Sequence, residues 1–272
     1  MTISGHLLLI GCGKMGGAML RGWLQRGARP GDVTVIEPNA ATVADLAAKG
    51  VRLLDDAGKL PAALKPAVVV IAVKPQITDA SVPAYRRFVG ADTVFLSIAA
   101  GRTIAYFEHH LGAQAPIVRS MPNTPAAVGR GITVACPNRN VSPAQRELCD
   151  ELLAAVGEVA WVEDEGLLDA VTAVSGGGPA YVFLLIECLA EAGAAAGLPP
   201  DLAMRLARVT VSGAGELARL SPEPASVLRQ NVTSPAGTTL EALKILMAAD
   251  GWQPLLTKAI AAATRRSREL AG

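Results

Sequence analysis

Short runs of β-branched and aliphatic residues alternate with stretches of helical periodicity through the first half of the chain. His6–Ile10 reads as a strand, and a helix follows over Met15–Arg26. Val33–Ile36 gives a second strand and Ala40–Lys49 a second helix. The continuous apolar run Val68–Val73 suits a strand buried on both faces. Further strands are expected near Val94–Ile98, Ile117–Ser120, Ile132–Ala135 and Val159–Val162. Strands alternating with helices predict an α/β domain built on a mostly parallel, doubly wound sheet.

The alternation stops after about Glu163. Leu167–Val174, Pro179–Ala196, Asp201–Leu220, Thr239–Ala249 and Trp252–Leu270 all read as helices, punctuated by Gly, Pro and Ser. The expected division is therefore residues 1–164 as the α/β domain and 165–272 as an all-α domain. Within the latter, the helix from Pro179 is apolar nearly all round, through Tyr181, Val182, Phe183, Leu184, Leu185, Ile186 and Leu189. Such a helix is expected to be buried on most sides. The helical half has little interior in which to bury it, so packing against another subunit is expected.

Composition refines this picture in three ways. At 272 residues the chain exceeds what one core usually organises. It is 51% hydrophobic but only 4% aromatic, which favours small-residue helices packed closely, often against other subunits. Lys and Arg number 25 against 24 for Asp and Glu, so charge offers no basis for nucleic-acid binding. Cys12, Cys136, Cys149 and Cys188 have no paired spacing and read as reduced thiols of a cytoplasmic protein, with no metal-ligand set. Met1–Leu9 lacks the basic start and apolar core of a signal peptide. Glu187 and Glu191 interrupt the most apolar helix, which argues against a membrane span.

The first strand runs into Ile10-Gly11-Cys12-Gly13-Lys14-Met15-Gly16, a G-x-G-x-x-G turn that opens a helix. Gly11 permits the tight turn, Gly13 lets backbone approach a pyrophosphate, and Gly16 allows close helix–strand contact. The N–H groups of the helix start then face the diphosphate of a dinucleotide. Glu37 ends the second strand, where an acid accepts hydrogen bonds from the adenosine ribose and repels a 2′-phosphate. No Arg follows in Pro38–Ala40, so NADH is expected to be favoured over NADPH. Ala72-Val73-Lys74-Pro75-Gln76 and Ser97-Ile98-Ala99-Ala100-Gly101 close two further strands, at the edge where ligands of open α/β sheets collect.

Six segments in this order resemble the pyrroline-5-carboxylate reductases. They are Gly11–Gly16, Ala72–Gln76, Ser97–Gly101, Arg119–Pro125, Ala173–Tyr181 and Val232–Thr239, spread over nearly the whole chain. Two positions depart: Gly177 stands where the family usually has Ser, and Ala236 where it usually has Gly. The resemblance implies reduction of the cyclic imine 1-pyrroline-5-carboxylate to L-proline by NADH or NADPH, the last step of proline synthesis. It implies a Rossmann domain followed by a helical dimerisation domain, assembled as a homodimer or ring of dimers. By matching positions it places Ile10, Gly11, Cys12, Gly13, Lys14, Met15, Gly16, Glu37, Asn39, Ala72, Val73, Lys74, Pro75, Ile98, Ala99, Ala100 and Asn231 around the cofactor. Ser234, Thr238 and Thr239 are implied to hold the substrate.

The residues are consistent with that chemistry. Only three histidines occur, His6, His109 and His110, none in the helical half, so a His-based 2-hydroxyacid dehydrogenase is disfavoured. A cyclic imine needs no strong dedicated acid, and the cofactor carries the hydride chemistry. Thr238, followed by Glu241 ahead of an apolar helix, matches a capping box and predicts Thr238 as N-cap. Amides at that helix start can receive the substrate carboxylate, Ser234 adds a donor, and Thr239 is placed to hydrogen-bond the imine nitrogen as the catalytic residue. The turn Ser175–Pro179 reads either as a close backbone approach or as a plain helix start. Glu165 reads as a solvated acid, and Arg119 as paired with an internal acid or the sheet edge. A β-hydroxyacid dehydrogenase would need a Lys in Pro179–Ala196, which has none. A dinucleotide-binding regulator without turnover is the other alternative, and the Ser234–Thr239 loop argues against it.

Overall fold

The computed structural model describes residues 5–271, the side chains of Ala40 and Thr42 excepted. The leader expectation from Met1–Leu9 thus falls partly on residues outside the described range. Eight strands form one sheet: β1 (His6–Ile10), β2 (Val33–Ile36), β3 (Arg52–Leu54), β4 (Pro66–Ile71), β5 (Val94–Ser97), β6 (Ile117–Met121), β7 (Gly131–Pro137) and β8 (Gly157–Trp161). Their order is β3-β2-β1-β4-β5-β6-β7-β8. Every neighbouring pair is parallel except β6 with β7. Order reverses between β1 and β4, where the chain leaves one flank of the sheet and starts the other, and at such switch points ligands bind beyond the strand ends.

Alternation along the central strands explains why they read as unbroken apolar runs. Leu7, Leu9, Val33, Val35, Val68 and Val70 face one layer, which includes Met19, Leu20 and Trp23 of α1 (Lys14–Gln25). Leu8, Ile10, Val69 and Ile71 face the other, with Phe107 and Leu111. Helices on both faces make the sheet doubly wound, as its sequence pattern predicts. The expected helix at Ala40–Lys49 is shorter: a 3₁₀ turn, Ala40–Val43, precedes α2 (Ala44–Ala47). The third strand from the sequence, Val68–Val73, starts two residues earlier and stops at Ile71, leaving Ala72–Pro75 as a loop. Three helices lie outside the periodic segments: α3 (Thr78–Ser81), α4 (Ile104–Leu111) and α5 (Pro143–Ala154).

Beyond β8 the chain is helical: α6 (Leu167–Val171), a π-turn at Thr172–Gly176, α7 (Gly178–Ala195), α8 (Pro200–Leu220), α9 (Ala225–Asn231), α10 (Thr238–Leu246) and α11 (Trp252–Ala271). Two compact units result, Gly177–Ala263 forming the second and the chain on either side forming the first. In the first unit, the last turns of α11 are tied to α6 by Ser267 Oγ donating to Asp169 Oδ1 at 2.7 Å.

The second unit leaves its most apolar helix uncovered by its own chain, as the small interior of the helical half leads one to expect. Helix α7 is not buried on most sides within the chain; Ala190 is its one buried residue. A seam of small residues, Ala190 and Gly193 with Ala203 and Ala207, closes α7 onto α8. Large apolar side chains of both helices stay exposed: Phe183 is 59% exposed, Leu184 56% and Val209 63%. An 18-residue window of Leu167–Ala195 has a mean hydropathy of 1.5 and is only 11% buried. The cause is packing economy. Two helices can share one narrow stripe, and the remaining apolar surface of a helix that is apolar all round has nothing left in its own unit to meet.

Candidate active site

The glycine turn after β1 has a separate physical reason for each glycine. Gly11 has φ +84, and a β-carbon on it would lie 2.9 Å from the carbonyl oxygen of Ala72. A β-carbon on Gly16 would come within 2.5 Å of the Gly11 carbonyl oxygen and 3.1 Å of Ala72 Cβ, so α1 packs backbone to backbone on the turn. At Gly13 a β-carbon would meet no protein atom within 4 Å. Gly13 is the N-cap of α1, with no side-chain cap and no acid in the first turn. The open space therefore adjoins a helix start whose own first turn carries no acid, which fits an anionic group such as a pyrophosphate.

Cys12 is buried in the turn, and burial pushes its thiol up to about 11, so it stays protonated. Cys136 and Cys149 are also buried free thiols, and Cys188 is exposed. Among the described residues no cluster of His, Cys, Asp and Glu is placed to hold a metal ion. Lys14 is exposed and Met15 partly buried against the core. Glu37, at the end of β2, accepts from Cys12 N at 2.8 Å through Oε2 and from Asn39 N at 3.0 Å through Oε1. Its carboxylate thus braces the glycine turn against the β2 loop, a role the sequence reading did not include.

The other first-unit residues lie on the same edge. Ala72 N donates to Ile10 O at 2.8 Å, and Ile98 N to Ile71 O at 3.1 Å, so each loop begins by extending its neighbour's ladder. Val73, Lys74 and Pro75 then turn away into a 3₁₀ turn with Pro75 at its first position. Ser97 accepts from Ala99 N through Oγ at 3.2 Å, while Ser120 Oγ donates to Ser97 O at 2.9 Å, fixing Ile98, Ala99 and Ala100. Ile10–Gly16, Glu37, Asn39, Ala72–Pro75 and Ile98–Ala100 are thereby gathered beyond the carboxyl ends of β1, β2, β4 and β5.

One acid–base expectation changes, and the internal acid expected as a partner of Arg119 is found. Glu165 is not a solvated acid: its Oε1 accepts from Arg119 Nη1 at 2.7 Å and from Ile104 N at 2.8 Å. Arg119 is the internal partner expected of it, and the pair holds the start of α4 to β6. In the turn that follows α6, Ser175 Oγ is buried with no hydrogen-bond partner among the described residues. Gly177 is the N-cap of α7, so the family's usual serine hydroxyl is missing from a capping position.

In the second unit, Asn231 closes α9 and its Nδ2 donates to Glu223 Oε2 at 3.2 Å. Ser234, Thr238 and Thr239 follow on an exposed loop and helix start. The capping box predicted at Thr238 is absent: Gly237 is the N-cap, and Thr238 and Thr239 are the first two residues of α10. Glu241 turns instead to Lys244, at 2.6 Å. Ala236 enters the left-handed region at φ +55, and this lets Gly237 take the extended cap conformation one residue earlier than expected. That conformation explains the family's usual glycine here and costs an alanine roughly 1 kcal/mol. Among the described residues the backbone N–H groups of Thr238 and Thr239 have no acceptor.

Arg102, Tyr106 and Asp79 escaped the sequence reading. Arg102 reaches Pro75 O, and Tyr106 donates to Asp79 Oδ1 at 2.6 Å, which holds the Asp79 carboxyl below its usual range. The only sequence signal was an arginine directly after Gly101.

Comparison with known proteins gives a consistent set of matches. Residues 165–270 match the family model described as pyrroline-5-carboxylate reductase dimerisation. Residues 6–101 match the model described as NADP oxidoreductase, coenzyme F420-dependent. The chain is 40% identical over 267 residues to a pyrroline-5-carboxylate reductase of Pseudomonas aeruginosa, covering 98% of this chain and 97% of that one. It is similar to the structure of a pyrroline-5-carboxylate reductase from Coxiella burnetii, with a TM-score of 0.92, 34% identity and coverage of 98% and 99%. It is also similar to the Plasmodium falciparum pyrroline carboxylate reductase with NADP bound, with a TM-score of 0.82, 27% identity and full coverage of both chains.

Proposed function

The chain belongs to the pyrroline-5-carboxylate reductases, and on that premise we propose how its residues divide the work. Its reaction is the reduction of 1-pyrroline-5-carboxylate to L-proline, the last step of proline synthesis, with NAD(P)H as reductant. The bound nicotinamide supplies the hydride. Residues 1–164 receive the dinucleotide, with the diphosphate at Gly11, Gly13 and Gly16 and the remaining cofactor along Glu37, Asn39, Ala72–Pro75 and Ile98–Ala100; Asn231 of the helical half is assigned to the cofactor by the family resemblance. Residues 165–272 carry both the dimer contact and the substrate loop. The observation that carries this reading is the open space at Gly13, bounded by helix-start N–H groups. Oxidation of NAD(P)H on adding pyrroline-5-carboxylate tests the whole; binding of the dinucleotide without turnover would mark a regulator instead.

The imine carries a carboxylate, which the N–H groups of Thr238 and Thr239 and the hydroxyl of Ser234 receive at the positive end of α10. The Thr239 hydroxyl hydrogen-bonds the imine nitrogen and relays its proton. Thr239→Ala is expected to lower kcat/KM about 10–100-fold, the scale of one or two lost hydrogen bonds. Steady-state kinetics in the variant decide this, and unchanged constants would remove Thr239 from the mechanism.

For the cofactor, Glu37 supports a preference for NADH. Its oxygens already accept from Cys12 N and Asn39 N, yet each carboxylate oxygen has a further lone pair for a ribose hydroxyl, and its charge repels a 2′-phosphate. The NADP held by the Plasmodium falciparum protein is the reason to measure it here. The ratio of kcat/KM for NADH over NADPH should exceed one and should fall in Glu37→Gln; a strong NADPH preference in the unmodified protein would overturn the assignment. We place the enzyme in the cytoplasm as a homodimer or ring of dimers, its apolar α7–α8 face covered by a second subunit rather than by lipid or nucleic acid.

A further inference from the structure

The sheet ladder ties Ile98 to Ile71 and goes no further, because β4 and β5 end before the two loops that flank the proposed dinucleotide seat. Among the described residues, the Arg102 side chain bridges the rest. Arg102 donates to Pro75 O through Nη2 at 2.8 Å and through Nε at 3.3 Å. It stands just past Ala100, and its own N–H donates to Ala99 O at 3.4 Å, closing the turn in which Gly101 takes φ +73. Pro75 O also accepts from Thr78 Oγ1 at 2.8 Å, so the carbonyl is fixed from both sides.

The guanidinium is itself immobilised. It lies over the Tyr106 ring at 4.5 Å and touches Asp79 Oδ2 at 3.3 Å, while the Tyr106 hydroxyl donates to the other Asp79 oxygen. Asp79 is 62% exposed, so the ion pair is a weak tether. The bonds to Pro75 O do more, since the Arg102 side chain is only 24% exposed. A lysine could place one donor on that carbonyl but could not form the planar stack with Tyr106 and the fork together.

We propose that Arg102 is a positioning residue for the cofactor, locking Lys74–Pro75 to Ile98–Ala100 so that both walls of the seat are set before NAD(P)H arrives. It acts through Pro75 and does not touch the dinucleotide. The inference rests on those loops being the cofactor's, as proposed above. Preorganisation of this kind removes loop ordering from the binding step.

The test titrates NADH and NADPH into the full-length protein and into Arg102→Met, Arg102→Lys and Gly13→Ala, with melting curves for each. Arg102→Met should raise Kd and KM for the dinucleotide about 10-fold, the scale of two hydrogen bonds. KM for pyrroline-5-carboxylate should hold, and Arg102→Lys should recover part of the loss. Should Arg102→Met not fold, Arg102→Lys decides alone, with a Kd raised about threefold expected from one missing donor. A dinucleotide Kd within error of the unmodified protein in whichever variant is folded overturns the proposal. So does an equal rise in KM for both substrates that tracks a lower Tm, since that marks a plain structural brace. Unimpaired binding in Gly13→Ala would instead sink the placement of the seat, and this proposal with it.

Discussion

Gly13→Ala is expected to weaken NAD(P)H binding about 100-fold, worth about 2.7 kcal/mol, while the protein melts within about 2 °C of the unmodified chain. The asymmetry follows from what surrounds the residue. Its φ of −70 and ψ of −159 are open to any residue, so an alanine brings no backbone strain. The added methyl meets no protein atom within 4 Å, so packing is untouched. An alanine N-cap loses only about 0.5 kcal/mol against glycine. The methyl does occupy the path along which a pyrophosphate would reach the first-turn N–H groups. Gly16→Ala is the contrasting control. Its methyl would lie 2.5 Å from the Gly11 carbonyl oxygen, and overpacking of that kind costs about 1–3 kcal/mol. Calorimetry and dinucleotide titration on the pair separate the two roles. Full-strength binding in Gly13→Ala would show that the diphosphate lies elsewhere.

The parts of the fold that were readable in the sequence are those where one force dominates. The strands β1, β2, β4 and β5 are buried on both faces, so they appear as unbroken aliphatic runs, and their connecting glycines carry the turn chemistry. Strand β3 is three residues long at the sheet edge with Arg52 exposed, and a pattern that short carries no period. The real capping box was also in plain sight, at Ser142 and Gln145, where both reciprocal bonds form and a proline takes the first turn of α5. The same pattern at Thr238 and Glu241 forms none. The difference lies in the residue before: Gly237 follows a left-handed Ala236 and takes the cap itself, and no local motif states which residue of a turn will stop being extended.

The site shows the same division. The first-unit residues proposed for the cofactor sit at strand ends, where the glycine spacing and the strand pattern locate Gly11, Gly13, Gly16 and Glu37, while Asn39 and Asn231 follow from the family resemblance alone. Arg102 was not readable because its partner is a backbone carbonyl twenty-seven positions away, which leaves no mark on residue identity. Glu37 was placed at the right strand end, yet its bonds to Cys12 N and Asn39 N depend on how the turn folds back. Helix α7 illustrates a pattern legible in its period, with its large apolar surface left uncovered by its own chain. An all-round apolar helix demands burial, but sequence does not say whether its own chain or another supplies the cover.

Leu184→Asp is therefore expected to turn an oligomer into a monomer and to remove nearly all reductase activity. Leu184 is 56% exposed on α7, next to Phe183 at 59%, and Val209 on α8 stands at 63%. Phe183, Ile186, Met204 and Val209 line a groove of about 630 Å³ between the two helices, with Glu187 and Arg208 among its walls. That much apolar surface would be a solubility burden for a lone chain, whereas obligate dimer contacts are commonly this hydrophobic. The match of residues 165–270 to a dimerisation model supports a second copy as the cover. An aspartate at the centre of such a contact would be buried without a partner, at a cost of several kcal/mol per subunit. The first unit has its own core and should persist, so dinucleotide titration of Leu184→Asp should still report binding wherever Asn231 is not needed. Light scattering behind size exclusion reads the assembly, and NAD(P)H oxidation reads the activity. A well-folded monomer from the unmodified chain would refute the covered face outright, and an active dimer of Leu184→Asp would move the contact off α7.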